Sequence, residues 1–146
     1  MTKILACAAV ALLAVGCNNN SSPTDPSQVS IEFTTTEIIV GTGAEVAAGS
    51  TATVTYTGWL YNQAGTDSKG AQFGSSSDPG AGPLQLVVGG GQFLRGFEQG
   101  ILGMRLGGKR RVYIPSNLGY GSRGSPDGVI PPNAALVFEI ELLTLT

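Results

Sequence analysis

Few side chains in this sequence could do chemistry, because its 146 residues include no histidine and two cysteines. Both cysteines, Cys7 and Cys17, lie in or at the end of the apolar N-terminal run, so the remaining sequence has no thiol nucleophile and no cysteine metal site. Without imidazole, Ser-His and Cys-His nucleophilic catalysis and the commonest metal ligand are excluded. We therefore expect an activity that uses hydroxyls, backbone amides and aromatic rings, with no metal and no cofactor.

The most unusual stretch is NLGYGSRGSPDGVIPPN, residues 117–133, which places Tyr120 among four glycines and three prolines. This composition excludes a helix interior or a central strand. Loops of this length inside compact domains are uncommon and are usually either functional or disordered. From its residues alone, the segment is either a flexible linker or a functional loop.

Alternating apolar and polar residues predict the strands that flank this loop. In STATVTYTGWL, residues 50–60, Tyr56 lies on the apolar face of a strand, opposite a row of threonines. In ALVFEIELLTL, residues 135–145, Phe138 lies on the apolar face of a second strand. The segments GKRRVYIP and PLQLVV are two more strand candidates, and TTEIIV is a weaker fifth.

Only QFLRGFEQGILGM, residues 92–104, breaks the two-residue period, and it predicts a short helix that ends near Gly103. Its apolar stripe consists of Phe93, Leu94, Phe97 and Ile101. Gly96 and Gly100 lower its helix propensity, so packing of the stripe on the sheet must hold it. The predicted fold class is α+β, an antiparallel sheet of about five strands wrapped over one short helix.

The charged residues argue against a nucleic-acid partner, because the formal net charge is -2 and basic residues are few. The one basic cluster, Lys109, Arg110 and Arg111, is interpreted as a solvated turn and strand start without a function. Glu98 is interpreted as a charge on the solvated face of the helix.

The N-terminus indicates export. MTKILACAAVALLAVGC has Lys3 followed by an uncharged run that is too short to span a bilayer and is typical of a signal peptide, residues 1–16. Its last four residues resemble the lipobox of bacterial lipoproteins, which implies a lipid on Cys17. The alternative is ordinary cleavage that leaves a soluble protein. Residues 17–30 then form the lipidated N-terminus and a polar linker, and the domain of residues 31–146 would work at the bacterial cell envelope, on the periplasmic face or the outer membrane.

Four segments in this order, VTYTGWL, FLRGFEQGILGM, YIPSNLGYG and VIPPNAALVFEIELL, closely resemble the FKBP-type peptidyl-prolyl cis-trans isomerases over about residues 37–145. The resemblance implies a half-barrel antiparallel sheet around one short helix, with a shallow apolar pocket that takes a proline ring. It also implies a monomer that binds proline-containing polypeptides and an FKBP-type macrolide ligand. The loop of residues 117–133 would then be the flap over the pocket.

The resemblance assigns the pocket residue by residue. The implied catalytic residues are Tyr56, Phe73, Phe97, Tyr120, Ile130 and Phe138. The implied substrate-binding residues are Leu86, Phe93, Leu94 and Val129.

The implied reaction suits a chain without histidine, because rotation about an X-Pro bond makes and breaks no bond to a heavy atom. An apolar pocket would favour the twisted amide over the more polar planar form by taking the bond out of water. The resemblance implies that the Ile130 N–H and the Tyr120 hydroxyl bind the substrate carbonyls, with the Tyr56 hydroxyl at the rim. The predicted function is isomerisation of X-Pro bonds in exported proteins without a covalent intermediate.

Three residues depart from the usual family pattern. Gly74 stands where an aspartate is usual, Phe97 where a tryptophan is frequent, and Leu86 where an aromatic residue is common; Asp67 and Asp78 lie near Gly74 but are displaced in sequence. The missing carboxylate keeps open an alternative function, a chaperone module that binds proline-containing or apolar segments with little or no catalysis. The intact aromatic set argues against a passive surface lipoprotein.

Overall fold

The structure is a computed structural model that describes residues 29–146. The predicted signal peptide, Cys17 and nearly all of the predicted linker lie outside the described residues. Within residues 29–146, no helix is long and apolar enough to cross a membrane.

The described chain forms one antiparallel sheet of six strands and one α-helix. The strands are β1 (Thr34–Ile39), β2 (Thr51–Tyr61), β3 (Lys69–Ser75), β4 (Leu84–Val87), β5 (Lys109–Ile114) and β6 (Leu136–Leu145), and the helix is α1 (Arg95–Ile101). The strand order is β1-β5-β6-β2-β3, and β4 also pairs with β2. This confirms the predicted α+β antiparallel sheet over one short helix, with six strands in place of about five.

The centre of the sheet is the pair β2 and β6, whose alternation was readable from the sequence. Tyr56 pairs with Ile140 and Gly58 with Phe138, so these four residues share the inner face. The odd-numbered threonines of β2 lie on the opposite face. The inner face therefore supplies both the core and the aromatic residues of the cavity described below.

The strand that the sequence did not predict is β3. Its segment, KGAQFGS, has Phe73 as its single large apolar residue, so it lacks the alternation of a half-buried strand. Backbone pairing with β2 holds it instead, with Thr57 opposite Ser75 and Gly58 opposite Gly74, and the register shifts twice along the pair. β3 is thus defined by its neighbour in the sheet, and it brings Phe73 to the end of β2.

Helix α1 lies directly on β5, and its two internal glycines permit this approach. A Cβ atom at Gly96 would come within 2.5 Å of the Ile114 side chain, and one at Gly100 within 2.7 Å of Val112. The helix starts at Arg95, later than predicted, and Phe93 lies before it with an exposed side chain. Phe97 and Ile101 are the members of the predicted stripe that the helix buries.

Arg110 is buried, and its interpretation as a solvated charge was wrong. The residue is 9% exposed, and its side chain donates hydrogen bonds to the carbonyls of Gly100 at 2.9 Å and Leu102 at 2.8 Å. It also forms an ion pair with Glu37 of β1. The guanidinium therefore satisfies carbonyls at the C-terminal end of α1, which intrahelical bonds leave free, and ties the helix to β5 and β1.

Glu98 is also buried, at 6% exposure, in contrast to the predicted solvent-facing charge. Its carboxylate accepts hydrogen bonds from the backbone N–H of Phe93 at 3.0 Å and of Gly91 at 3.2 Å. Both donors belong to the segment between β4 and α1. Glu98 therefore fixes the chain as it enters the helix, and with it the position of Phe93.

Candidate functional site

A cavity of about 220 Å³ lies between the inner face of the sheet, the start of α1 and the loop that connects β5 to β6. Its volume is below the roughly 300–1,000 Å³ of pockets that enclose drug-sized ligands, so it suits a small apolar group. The lining residues are Tyr56, Phe73, Gly74, Leu84, Phe93, Leu94, Phe97, Tyr120, Ser125, Asp127, Val129, Ile130 and Phe138.

Edge-to-face aromatic contacts fix the floor of the cavity. Phe97 is 2% exposed, and its ring centroid lies 5.2 Å from that of Phe138 and 5.8 Å from that of Tyr56, with the planes nearly perpendicular in both pairs. Phe73 makes the same type of contact with Phe138 at 5.4 Å. Rings packed in this way hold each other in place, so the floor is rigid and apolar before any ligand arrives.

The rim of the cavity is apolar and open. Phe93, Tyr120 and Val129 line it and are exposed, although large apolar side chains usually lie inside a domain. Phe93 also packs against the floor, with its ring centroid 5.8 Å from that of Phe97. A polypeptide laid across the cavity would cover these three side chains.

The loop between β5 and β6 is structured by its own hydrogen bonds. The Ser125 N–H donates to the Ile130 carbonyl at 2.9 Å, and the Asn133 N–H donates to the Gly121 carbonyl at 2.8 Å. These bonds close the segment over the cavity and hold Tyr120 at its edge. Of the two readings of residues 117–133, the structure therefore favours a defined flap over a linker.

Nine of the ten predicted site residues line this one cavity, and Leu86 does not. Leu86 lies in the core at 1% exposure, and Leu84 lines the cavity in its place. Residues two apart on a strand point to the same face but lie about 7 Å apart along it. The pattern LQLVV therefore located the correct face but not the position along it. The functional roles of the nine residues stay predictions.

The expected backbone donor is already occupied. The Ile130 N–H donates to the Ser125 hydroxyl at 2.9 Å. By contrast, the N–H of Leu94, another lining residue, forms no hydrogen bond with any residue of the described chain. The Leu94 N–H is therefore a candidate backbone donor for a substrate carbonyl.

The two tyrosine hydroxyls of the cavity are available as donors. Within residues 29–146, the side-chain hydrogen bonds at Tyr56 use its backbone N–H and carbonyl and none involves the Tyr56 or the Tyr120 hydroxyl, and both residues line the cavity. Burial raises the pKa of Tyr120 above its ordinary value, and the Asp127 carboxylate and Tyr56 raise it further. Tyr120 therefore stays protonated at neutral pH and can donate.

The carboxylate of the cavity comes from an unpredicted residue, Asp127. A Cβ atom at Gly74 would have nothing within 4 Å, so the usual carboxylate position is open space. Asp67 pairs instead with Arg111, and Asp78 accepts from the Ser75 N–H. The signal that could have located Asp127 is the turn sequence SPDG inside the flap, because Pro-Asp-Gly places an aspartate at an exposed turn.

The comparisons with known proteins agree with this geometry. The family model for FKBP-type peptidyl-prolyl cis-trans isomerases matches residues 43–143. An FK506-binding protein of Neisseria meningitidis serogroup A is 48% identical over 103 residues, covering 70% of this chain and 86% of the relative. FK506-binding protein 2 of Dictyostelium discoideum is 37% identical over 142 residues and 97% of either chain. The crystal structure of a peptidyl-prolyl cis-trans isomerase from Pseudomonas syringae pv. tomato has a TM-score of 0.63 at 32% identity, covering 78% of this chain and 75% of that one.

Proposed function

The chain belongs to the FKBP-type peptidyl-prolyl cis-trans isomerases, and from this membership we propose that its aromatic cavity accelerates rotation about X-Pro bonds in polypeptide substrates. The observation that carries this proposal is the floor, in which Phe97 meets Tyr56 and Phe138 edge to face. A prolyl ring seated on Phe97 would place its amide bond among these rings. The substrate class is therefore a proline-containing segment in an extended or unfolded chain.

Desolvation supplies the first part of the mechanism. The barrier to rotation, roughly 18–20 kcal/mol, arises from amide resonance, which gives the planar form a larger charge separation than the twisted form. Transfer of the bond from water to the apolar floor destabilises the planar form more than the twisted one. No bond to a heavy atom is made or broken, so no covalent intermediate forms.

Hydrogen bonds at the rim supply the second part. The unused Leu94 N–H and the Tyr120 hydroxyl would hold the substrate carbonyls while the prolyl side turns. The Ile130 N–H can take this role only after the Ser125 hydroxyl leaves it. We therefore place Leu94 and Tyr120 first among the donors.

The proposal extends to ligand and location. Because relatives of this chain are named FK506-binding proteins, we propose that a macrolide of that type places one apolar group in the same cavity while the rest of it lies over the rim. We also propose that Cys17 carries a lipid that anchors the domain at the cell envelope, where exported proteins would be its substrates. Fractionation of cells that express Cys17→Ser tests the anchor: the variant should leave the membrane fraction, and its retention there would refute the lipid.

A protease-free isomerisation assay on a short X-Pro peptide tests the enzyme. Phe97→Ala removes the floor and should abolish most of the acceleration while the protein stays folded by circular dichroism. Phe33→Ala is a matched control, because Phe33 packs on the core away from the cavity. A wild-type rate equal to the uncatalysed rate, combined with tight peptide binding, would favour the alternative function, a chaperone module with little catalysis, which the missing carboxylate at Gly74 suggests.

A further inference from the structure

We propose that Asp127 makes this site select polypeptides that carry a cationic side chain next to the proline. The inference rests on the proposed function, because it concerns which X-Pro segments the cavity takes. Asp127 is the one charged residue among those that line the cavity in the described chain. All other lining residues are apolar, aromatic or glycine, apart from the Ser125 hydroxyl and the two tyrosine hydroxyls.

The carboxylate is held in one orientation by the flap. It accepts a hydrogen bond from the Ser125 hydroxyl and another from the Val129 N–H at 3.1 Å. Ser125 in turn accepts from the Ile130 N–H and donates its own N–H to the Ile130 carbonyl. Asp127 is therefore a fixed part of the rim, and its two hydrogen bonds also lower the pKa of its carboxyl group, so it is ionised at neutral pH.

No lysine or arginine of the described residues forms an ion pair with this carboxylate. The ion pairs within residues 29–146 are formed by Glu37, Glu45, Asp67 and Glu139. Arg123 lies in the same flap, but none of the ion pairs within residues 29–146 joins it to Asp127. An exposed and ionised carboxylate at the rim of an apolar cavity is thus available to a charge on the ligand.

The position of Asp127 determines which part of a ligand meets it. A prolyl ring on Phe97 would send its neighbours along the chain over the rim, where Tyr120 and Val129 lie. The negative charge of Asp127 reaches this rim, since it acts on the Tyr120 hydroxyl. On the β3 side, Gly74 presents no carboxylate. The side chains that flank the proline therefore meet one negative charge, which attracts lysine or arginine and repels glutamate or aspartate.

The size of the effect follows from the exposure of Asp127. An ion pair in contact with solvent typically raises a binding constant by about two- to five-fold, and added salt weakens this effect by screening the charges. We expect kcat/KM for a lysine peptide to exceed that of its glutamine analogue by this factor at low salt. A glutamate analogue should fall below the glutamine peptide.

The test uses the full chain and three peptide sets with lysine, glutamine or glutamate on either side of a single proline. The wild type should prefer lysine over glutamine at one or both positions at about 10 mM ionic strength, and lose the preference at about 1 M. Asp127→Asn keeps an acceptor for the Val129 N–H and should bring the lysine-to-glutamine ratio close to one. Glu141→Gln removes an equal charge from the exposed outer face of the sheet and should leave the ratio unchanged.

The outcomes separate this inference from the proposed function. Catalysis of all peptides with equal kcat/KM, or a lysine preference that Asp127→Asn retains, would overturn the role of Asp127 and leave the isomerase intact. An absence of catalysis for every peptide would refute the isomerase itself. If Asp127→Asn does not fold, the salt dependence of the wild type still tests the inference. A lysine preference that persists at about 1 M ionic strength is not electrostatic and would overturn the role of Asp127.

Discussion

At the scale of single residues, the cavity combines two kinds of group. Aromatic side chains form its apolar floor, and polar groups lie around its opening. Phe97 and Phe138 give an apolar surface without a charge. The candidate donors are the Leu94 N–H and the hydroxyls of Tyr56 and Tyr120, and the one carboxylate is that of Asp127. A reaction that only twists a bond needs such a floor and a few fixed donors.

Leu94→Pro tests the backbone donor. The φ of Leu94 is -56°, which proline adopts without strain. The Leu94 N–H donates no hydrogen bond to any other described residue, so its loss breaks no bond within them. We expect the variant to fold and to lose about two- to ten-fold in kcat/KM relative to Leu94→Ala, which lacks the side chain but keeps the N–H. Equal activity of the two variants in the isomerisation assay would remove Leu94 from the donors.

Gly74→Asp tests the carboxylate that the family usually has. The open space around Gly74 should accept the side chain, so we expect an unfolding midpoint close to that of the wild type. An acceptor at this position could orient the Tyr56 hydroxyl, which has no partner in the described chain, and should strengthen FK506 binding several-fold. Calorimetric titration would measure this, with Gly74→Ala as the control for added volume. The idea fails if aspartate and alanine give the same affinity.

At the scale of elements, the parts that sequence could predict are those whose pattern is local. β2, β6 and α1 carry their alternation or stripe within a few residues. β3 does not, because its pairing with β2 defines it, and Leu84 could not be told from Leu86 because both face inward. Local pattern therefore predicted the face of each element but not its position along the neighbouring strand.

Buried charges escaped prediction for a related reason. Arg110 pairs with Glu37, which is 73 residues away in sequence, and it also caps the end of α1. Glu98 is buried against the backbone of the segment before its own helix. A charged residue is normally exposed unless partners satisfy it. Those partners are known only once the elements are packed.

Gly100→Ala tests the contact between α1 and β5. In an exposed helix, alanine would be favoured over glycine by about 1 kcal/mol. Here the added Cβ would lie 2.7 Å from Val112, so helix and strand must separate, and we expect a net loss of about 1–3 kcal/mol of stability. Urea unfolding would measure it against Gly82→Ala, whose Cβ has nothing within 4 Å. A more stable Gly100→Ala variant would mean that the contact is loose.

At the scale of the whole molecule, the sheet has a different chemistry on each face. The inner face buries the core and the aromatic floor, whereas the outer face carries a charge cluster around Glu139. The Glu139 carboxylate lies 2.6 Å from Lys69 and 2.9 Å from Arg111, which belong to β3 and β5. Lys69 also lies over the Trp59 ring at 4.4 Å. This cluster joins three strands, so its protonation state bears on the stability of the entire sheet.

The pH dependence of stability tests this cluster. Burial acts to raise the pKa of Glu139, but the hydrogen bonds from Lys69 and Arg111 outweigh it, and the net effect lowers the pKa below the ordinary value of 4.5. A carboxylate whose pKa is lower in the folded state stabilises that state above the unfolded pKa and loses this contribution as pH falls through the folded pKa. We therefore expect the free energy of unfolding to decline as pH drops below about 4.5.

Glu139→Gln should remove that part of the decline and cost about 1–3 kcal/mol at neutral pH, because it removes the carboxylate that Lys69, Lys109 and Arg111 share and leaves Lys69 and Arg111 with Asp67 alone. Glu141→Gln is the matched control, since Glu141 is exposed on the same face and forms no ion pair in the described chain. Urea unfolding from pH 3 to pH 7 would compare the three proteins. Parallel curves for the wild type and Glu139→Gln would show that the outer cluster does not couple protonation to folding, and the acid sensitivity would then have to arise elsewhere in the sheet.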